Sequence, residues 1–369
     1  MKKSKRVTEA LSTVVPKKAR KTKSTPPADT HSADVAAKEV GGNLREAELT
    51  KDEELKQALE DIDNVYVPKP HFGPEDLRPR HAYIKNIPET ANNELRRQYK
   101  QFEAVAGDLA LHRTSELVQA RKKLISEFPY AINIIDSVLG QQARRHSIGL
   151  TSTLIEPVLI VGPPGLGKSR IARQICKVLN VHYRCISVAG MGDANIFGVS
   201  RGWGTAAPSI LTELVAEAGY ANPVLIFDEI EKIPREDRNG NIHKKLLGVL
   251  EKSEACHFFE PFFAASVDAS HIGWIFTANS LEGIPGPLRS RLKVLEMAVP
   301  RVEHLPAIIV GMRAEIAQEQ GLDVRWVQGL DGAELGAITG SYKEHRNVRI
   351  LRAQVQNLVM SRKMTLQQH

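Results

Sequence analysis

The sequence predicts an α/β fold: a doubly wound, parallel five-stranded sheet with a small C-terminal helical lid, preceded by a helical region and a disordered basic tail. Two observations carry this. Between residues 157 and 298, short β-like apolar runs alternate with helical stretches, the pattern of strands buried between two helical layers. Residues 301–369 then read as helices only. With 369 residues, 42% of them apolar, the chain can fill more than one core.

The elements follow in order. Residues 1–45 are rich in Lys, Ser, Thr, Pro and Ala and cannot bury enough apolar surface to offset chain entropy, so they are expected to be disordered. Residues 1–24 hold nine basic side chains against Glu9 alone, a local charge of +8 where the whole chain carries +7, so the remainder sums to −1. The basic balance therefore belongs to a tail, and a nucleic-acid-binding field over the whole body is not supported. Nucleic acid contact through this tail remains open, and Lys5-Arg6 with Lys17-Lys18-Ala19-Arg20-Lys21 resemble a bipartite nuclear-import signal. A helical N-terminal region spans 46–149. Thr50-Lys51-Asp52-Glu53 is a capping-box pattern, prolines at 68, 70 and 74 mark a break, and from 89 to 146 apolar residues including Leu95, Tyr99, Leu109, Leu124 and Ile135 recur at helical spacing.

The α/β segment spans 150–300. Its strands are expected at 157–161, 182–188, 224–227, 273–277 and 292–297. The lid spans 301–369 and finishes on an amphipathic stretch from Asn347 to Met360. No run of apolar residues is long enough for a transmembrane helix, and no apolar stretch follows the N-terminal charges as a secretory signal requires. No membrane partner is expected, and the compartment is expected to be the cytoplasm, or the nucleus in a eukaryote. Cys176, Cys185 and Cys256 have no paired spacing, which fits a reducing compartment and argues against a zinc site or a disulfide framework.

Three motifs carry chemistry. Gly162-Pro163-Pro164-Gly165-Leu166-Gly167-Lys168-Ser169 stands between an apolar strand and a helix start, the context of a phosphate-binding loop. Glycines let backbone N–H groups approach a triphosphate, and the helix N-terminus adds partial positive charge. Lys168 is expected to reach the β- and γ-phosphates and Ser169 to ligate Mg²⁺. Val224-Leu225-Ile226-Phe227 ends in Asp228-Glu229, and carboxylates closing a buried strand are costly unless they meet a cation. Asp228 suits Mg²⁺, and Glu229 suits a base acting on the attacking water. Trp274-Ile275-Phe276-Thr277-Ala278 ends in Asn279, which could orient that water. ATP with Mg²⁺ is the nucleotide implied.

Together, in this order and spacing, the motifs resemble an AAA+ ATPase, and in particular the ATPase module of Lon proteases, over about residues 150–300. Asp228-Glu229-Ile230-Glu231-Lys232 resembles Lon's Asp-Glu-Ile-Asp-Lys, and Leu246 through Asn279 is similar to the Lon segment without a gap. Ile284-Pro285-Gly286-Pro287-Leu288-Arg289-Ser290-Arg291 resembles the segment ending in the family's arginine finger. The resemblance puts the finger at Arg291, with Arg289 as a competitor, and a second sensor arginine at Arg349. Residues 196–204 resemble the first pore loop, whose aromatic residue is Trp203 here. The resemblance implies a homo-oligomeric ring, a hexamer, acting on a polypeptide client as an unfoldase. Lon follows its lid with a protease domain, whereas this sequence stops twenty residues after Arg349, so no intrinsic peptidase is expected. A nucleic-acid motor or loader and a nucleotide-switched assembly scaffold are the alternatives.

Overall fold

The structure, a computed structural model, describes residues 80–366 apart from 91, 190–193, 201–205, 235–240, 322 and 324–328. The basic tail, the capping-box segment at Thr50, the prolines at 68, 70 and 74, and Trp203 lie outside the described residues.

The described chain opens with β1 (Arg80–Ala82), which pairs antiparallel with β2 (Asp108–Ala110) on either side of α1 (Asn93–Lys100). Helices α2 (Leu117–Glu127) and α3 (Ile132–Ser147) follow. The α/β body then runs β3 (Val158–Val161), α4 (Lys168–Val178), β4 (Tyr183–Ser187), α5 (Ile210–Ala218) and β5 (Val224–Asp228). It continues through α6 (Ile242–Leu250), α7 (Lys252–Ala255) and the antiparallel pair β6 (Phe258–Glu260) and β7 (Ala265–Val267). It closes with β8 (Gly273–Ala278), α8 (Gly286–Arg289) and β9 (Lys293–Glu296). Three helices form the lid: α9 (Leu305–Glu319), α10 (Gly332–His345) and α11 (Val348–Leu366).

The expected sheet is present. Five parallel strands lie in the order β4-β5-β8-β3-β9, and β3 and β8 are buried along their whole length. Strands covered on both faces tolerate only apolar side chains, so each reads as an unbroken apolar run. Phe227, Trp274 and Phe276 stack on one face, with ring centroids 5.6 to 5.9 Å apart. This order brings the carboxyl ends of β3, β5 and β8 side by side, the edge where ligands bind in such sheets.

Within 89–146 the helices cover Asn93–Lys100, Leu117–Glu127 and Ile132–Ser147, and the expected helical pattern fails between the first two. Leu109, expected on a helical stripe, sits in β2. Gly107 at φ +77° breaks the helical path, and buried Leu109 and Leu111 then follow strand alternation. The lid's core joins Leu305, Ile308, Met312 and Ile316 of α9 with Leu351 and Val355 of α11, and α9 also packs on α2. No helix among the described residues is long and apolar enough to cross a membrane.

Candidate functional site

Residues 162–169 link β3 to α4. Gly165 and Gly167 adopt φ of +82° and +92°, left-handed values that favour glycine. The Tyr130 hydroxyl, buried beside α3, donates to the Leu166 carbonyl at 3.0 Å and braces the loop from behind. Burial pushes the Tyr130 hydroxyl pKa up, so it stays a neutral donor.

Lys168 begins α4 and is 7% exposed. Its ammonium donates to the carbonyls of Gly162 at 2.7 Å and Pro163 at 3.0 Å, and to Asn279 Oδ1 at 2.9 Å. Burial pulls its pKa down, while the carboxylates of Glu231, Asp228 and Glu229 pull the other way. All three hydrogen-bond acceptors are neutral, so the cation's charge is available to an anion entering the loop.

Ser169 Oγ donates to Asp228 Oδ1 at 2.6 Å, and Thr277 Oγ1 donates to the same oxygen. Asp228 ends β5 and Thr277 lies in the neighbouring β8, so the sheet itself fixes this group. A hydroxyl and a carboxylate side by side are the hard oxygen donors that suit Mg²⁺. Glu229 follows at φ +64°, an uncommon conformation for a glutamate. Its N–H donates to Thr277 Oγ1 at 3.2 Å, and its carboxylate pairs with Lys232 Nζ at 2.8 Å.

Asn279 stands one residue past β8. Its amide nitrogen donates to Glu231 Oε1 at 2.7 Å and, at a longer 3.4 Å, to Glu229 Oε1. Its backbone N–H also reaches Glu231 Oε1, at 3.1 Å. The side chain is thus fixed end to end, oxygen on Lys168 and nitrogen on Glu231. Sequence reading singled out Asn279 but missed Glu231 and Thr277, whose parts emerge only once β5 and β8 are paired.

These groups line a cavity of about 480 Å³, closed on the other side by Met312, Val348, Arg349 and Arg352 of the lid. The lid is bonded to the phosphate loop. The Val348 N–H donates to the Gly165 carbonyl at 2.9 Å. Asn347 caps α11, its Oδ1 accepting from Arg349 N–H at 2.8 Å and Ile350 N–H at 3.3 Å. Next to Ser169, Arg170 meets Glu315 of α9 through two 2.8 Å contacts and lies 3.8 Å from Glu127 of α2. Its guanidinium also sits 4.5 Å above the Phe128 ring. Sequence reading gave no role to Tyr130 or Arg170, and named Asn347 only as the start of the amphipathic stretch, not as the cap it proves to be.

Arg349 thus joins the cavity. Arg291 does not line it: its Nη1 donates to the Pro287 carbonyl at 3.2 Å, and its Nε lies 3.6 Å from Glu251 Oε2. Arg289 ends α8, four residues past Pro285 in a helix that begins on a proline turn.

A parallel sheet carrying a glycine-rich loop, an acidic strand end and a polar strand end on adjoining edges defines a phosphate-loop nucleotide-binding module. Residues 158–298 match the family described as "ATPase family associated with various cellular activities (AAA)", and the chain carries an AAA ATPase domain over that span. It is similar to Lon protease of Methanosphaera stadtmanae, 38% identical over 141 residues, and to Lon protease 1 of Bacillus subtilis, 33% identical over 209 residues. A mitochondrial Lon protease homolog of Ostreococcus lucimarinus is 29% identical over 255 residues. These matches take in 38%, 56% and 69% of this chain but only 17%, 27% and 26% of the relatives, so the likeness concerns their ATPase region. A solved structure titled "Closed State CryoEM Reconstruction of Hsp104:ATPyS and FITC casein" shares the fold, with a TM-score of 0.55 and 16% identity over 68% of this chain and 48% of that one.

Proposed function

We propose that this chain is an ATP-driven protein-remodelling motor that couples hydrolysis of ATP to ADP and phosphate to movement of its lid. The observation that carries the coupling is the shared cavity: sheet and lid both line it, and the Val348 N–H is bonded to the phosphate loop at Gly165. A change in phosphate charge at the loop is therefore felt directly by the first turn of α11.

In this reading the loop N–H groups, the α4 N-terminus and Lys168 hold the β- and γ-phosphates. Lys168 exchanges its bonds to the Gly162 and Pro163 carbonyls for phosphate oxygens and keeps Asn279. Ser169 and Asp228 would hold Mg²⁺, which would offset phosphate charge there. Glu229, released from Lys232, takes the proton of the attacking water, and Asn279 fixes the water's orientation. Arg349 faces the nucleotide from the lid. Arg291, outside the cavity of its own chain, serves the nucleotide of a neighbouring subunit in a homo-oligomeric ring, of six subunits by the resemblance.

The protein-remodelling part rests on likeness to the Lon ATPase region and on Trp203 as a pore-loop aromatic. The base of that loop is well defined: Val199 and Ala207 face each other in an antiparallel bridge, beside buried Phe197. Protease and casein in the relatives' names belong to those proteins.

Glu229→Gln is expected to retain ATP binding and lose turnover by about 10²-fold or more, whereas Lys168→Ala loses binding. Equal turnover in wild type and Glu229→Gln removes the catalytic assignment. The Glu229→Gln protein, trapped with ATP, is expected to co-purify with polypeptides; nucleic acid alone in that fraction overturns the protein-remodelling reading. Trp203→Ala should spare ATP hydrolysis and impair unfolding of a model client, and undiminished unfolding removes the pore-loop role.

A further inference from the structure

Away from the nucleotide cavity, one cluster has donor chemistry that the motor does not use. His81 of β1 meets Asp268 and His271 of the turn between β7 and β8. One ligand atom from each lies within 4.8 Å of the other two. His81 Nε2 stands 3.3 Å from Asp268 Oδ2, and the two imidazole rings are 3.9 Å apart at their centroids, tilted by 39°. All three residues are half-buried.

The backbone fixes this convergence. The Asp268 N–H donates to the Tyr83 carbonyl at 2.7 Å, locking the turn to the chain just beyond β1. Asp268 Oδ1 accepts from the Ser270 N–H at 2.9 Å, which leaves Oδ2 on the side of His81. His271 Nδ1 is 3.3 Å from Ser270 Oγ, so Nε2 is its remaining ring nitrogen.

We infer that His81, Asp268 and His271 form a binding site for a divalent transition metal ion, with Zn²⁺ the best match to two imidazoles and one carboxylate. Such a set selects against Mg²⁺ and Ca²⁺, which prefer oxygen donors. Three protein ligands leave a fourth position to solvent, and a cavity of about 190 Å³ beside His271 gives access. Zinc bonds of about 2.0–2.2 Å in tetrahedral geometry need ligand atoms roughly 3.4 Å apart, so donors now within 4.8 Å of one another close in by up to about 1.4 Å, within reach of side-chain torsions. Burial, with His81, Lys252 and Arg145 nearby, pushes the His271 pKa down to about 4. Lys252 and Arg145 line the same cavity and weaken the site for a bare dication; Asp268 offsets part of that charge. The sequence argued against zinc from cysteine spacing alone, and no local histidine motif exists because His81 and His271 are far apart in the chain. A metal here ties β1 to the turn that feeds β8. The inference is independent of the proposed motor.

The test is titration of the full chain with Co²⁺ in nucleotide-free buffer, followed by visible absorption, with metal content measured after equilibrium dialysis against Zn²⁺. One equivalent per chain is expected, with a ligand-field band displaced by Zn²⁺. His81→Ala and His271→Ala should each weaken binding by at least tenfold. Asp268→Asn keeps an acceptor for the Ser270 N–H, so it preserves the turn while weakening the metal, and far-ultraviolet circular dichroism verifies its fold. No bound metal in the wild-type protein, or equal affinity in wild type and Asp268→Asn, overturns the inference.

Discussion

The contact between the phosphate loop and the lid yields a quantitative prediction through Gly165→Ala. Alanine at φ +82° costs about 1–2 kcal/mol on conformational grounds alone. Its new Cβ would also lie 2.4 Å from Asn347 Oδ1 and 2.7 Å from Cγ and Nδ2 of the same side chain. Asn347 cannot yield freely, because its Oδ1 caps α11 through the Arg349 and Ile350 N–H groups. Displacing the cap costs about 1 kcal/mol more, for a sum of about 2–3 kcal/mol. Asn347→Ala alone removes the same cap and costs about 1 kcal/mol. In the double variant the cap is already gone and the Cβ meets no obstacle, so the loss stays at about 2–3 kcal/mol instead of rising to about 3–4. Urea unfolding of the four proteins without nucleotide measures the cycle. A coupling near 1 kcal/mol supports direct competition between the loop and the cap. Additivity within about 0.3 kcal/mol refutes it.

Glu231→Ala removes the acceptor of the Asn279 backbone N–H and leaves its amide only the longer contact to Glu229, and is expected to lower kcat by about tenfold or more, as loss of a hydrogen bond to a charged group implies, while ATP affinity changes little. An unchanged kcat in single-turnover hydrolysis means that Glu231 does not position Asn279. Arg170→Met leaves Glu127 and Glu315 facing each other without their cation and is expected to destabilise by about 3–5 kcal/mol in chemical denaturation; a loss below about 1 kcal/mol contradicts the buried network. Glu260 is fully buried, and burial pushes its carboxyl above the ordinary glutamate range despite donors from Ser209, Thr212 and Phe262. A carboxyl with its folded pKa above its unfolded one contributes stability that is complete below the unfolded value and lost as pH rises through the folded value. Wild-type Tm should therefore fall with rising pH over that window relative to Glu260→Gln, and parallel Tm curves between about pH 4 and 8 rule this out.

All five sheet strands were legible in the sequence: β3, β5 and β8 because they are buried and read as nearly unbroken apolar runs, and the half-buried outer strands β4 and β9 through shorter apolar stretches at Cys185-Ile186 and Val294-Leu295. The pairs β1–β2 and β6–β7 were not, because three-residue strands hold too few positions to establish a period. At the site, Lys168, Ser169, Asp228 and Glu229 could be singled out because their spacing follows from single strand–loop crossings. Arg349 could be singled out only through resemblance, and the structure brings it to the cavity on the first turn of α11. Glu231, Thr277, Tyr130 and Arg170 were silent because each acts on a partner distant in sequence or through a bond to backbone. Tyr130 braces Leu166, and Arg170 reaches Glu315 145 residues away.

The three consecutive residues that open α4 face three separate partners, two on the sheet edge and one in the helical layers. Lys168 addresses the sheet edge through Asn279, Ser169 the acidic strand end, and Arg170 both the lid helix α9 and the preceding helix α2. One helical turn is therefore a fulcrum. Any displacement of that turn is shared with α9 and α2 through Arg170. The Arg170 carboxylate contacts thus tie the first turn of α4 to both outer helices at once, with no intervening residue.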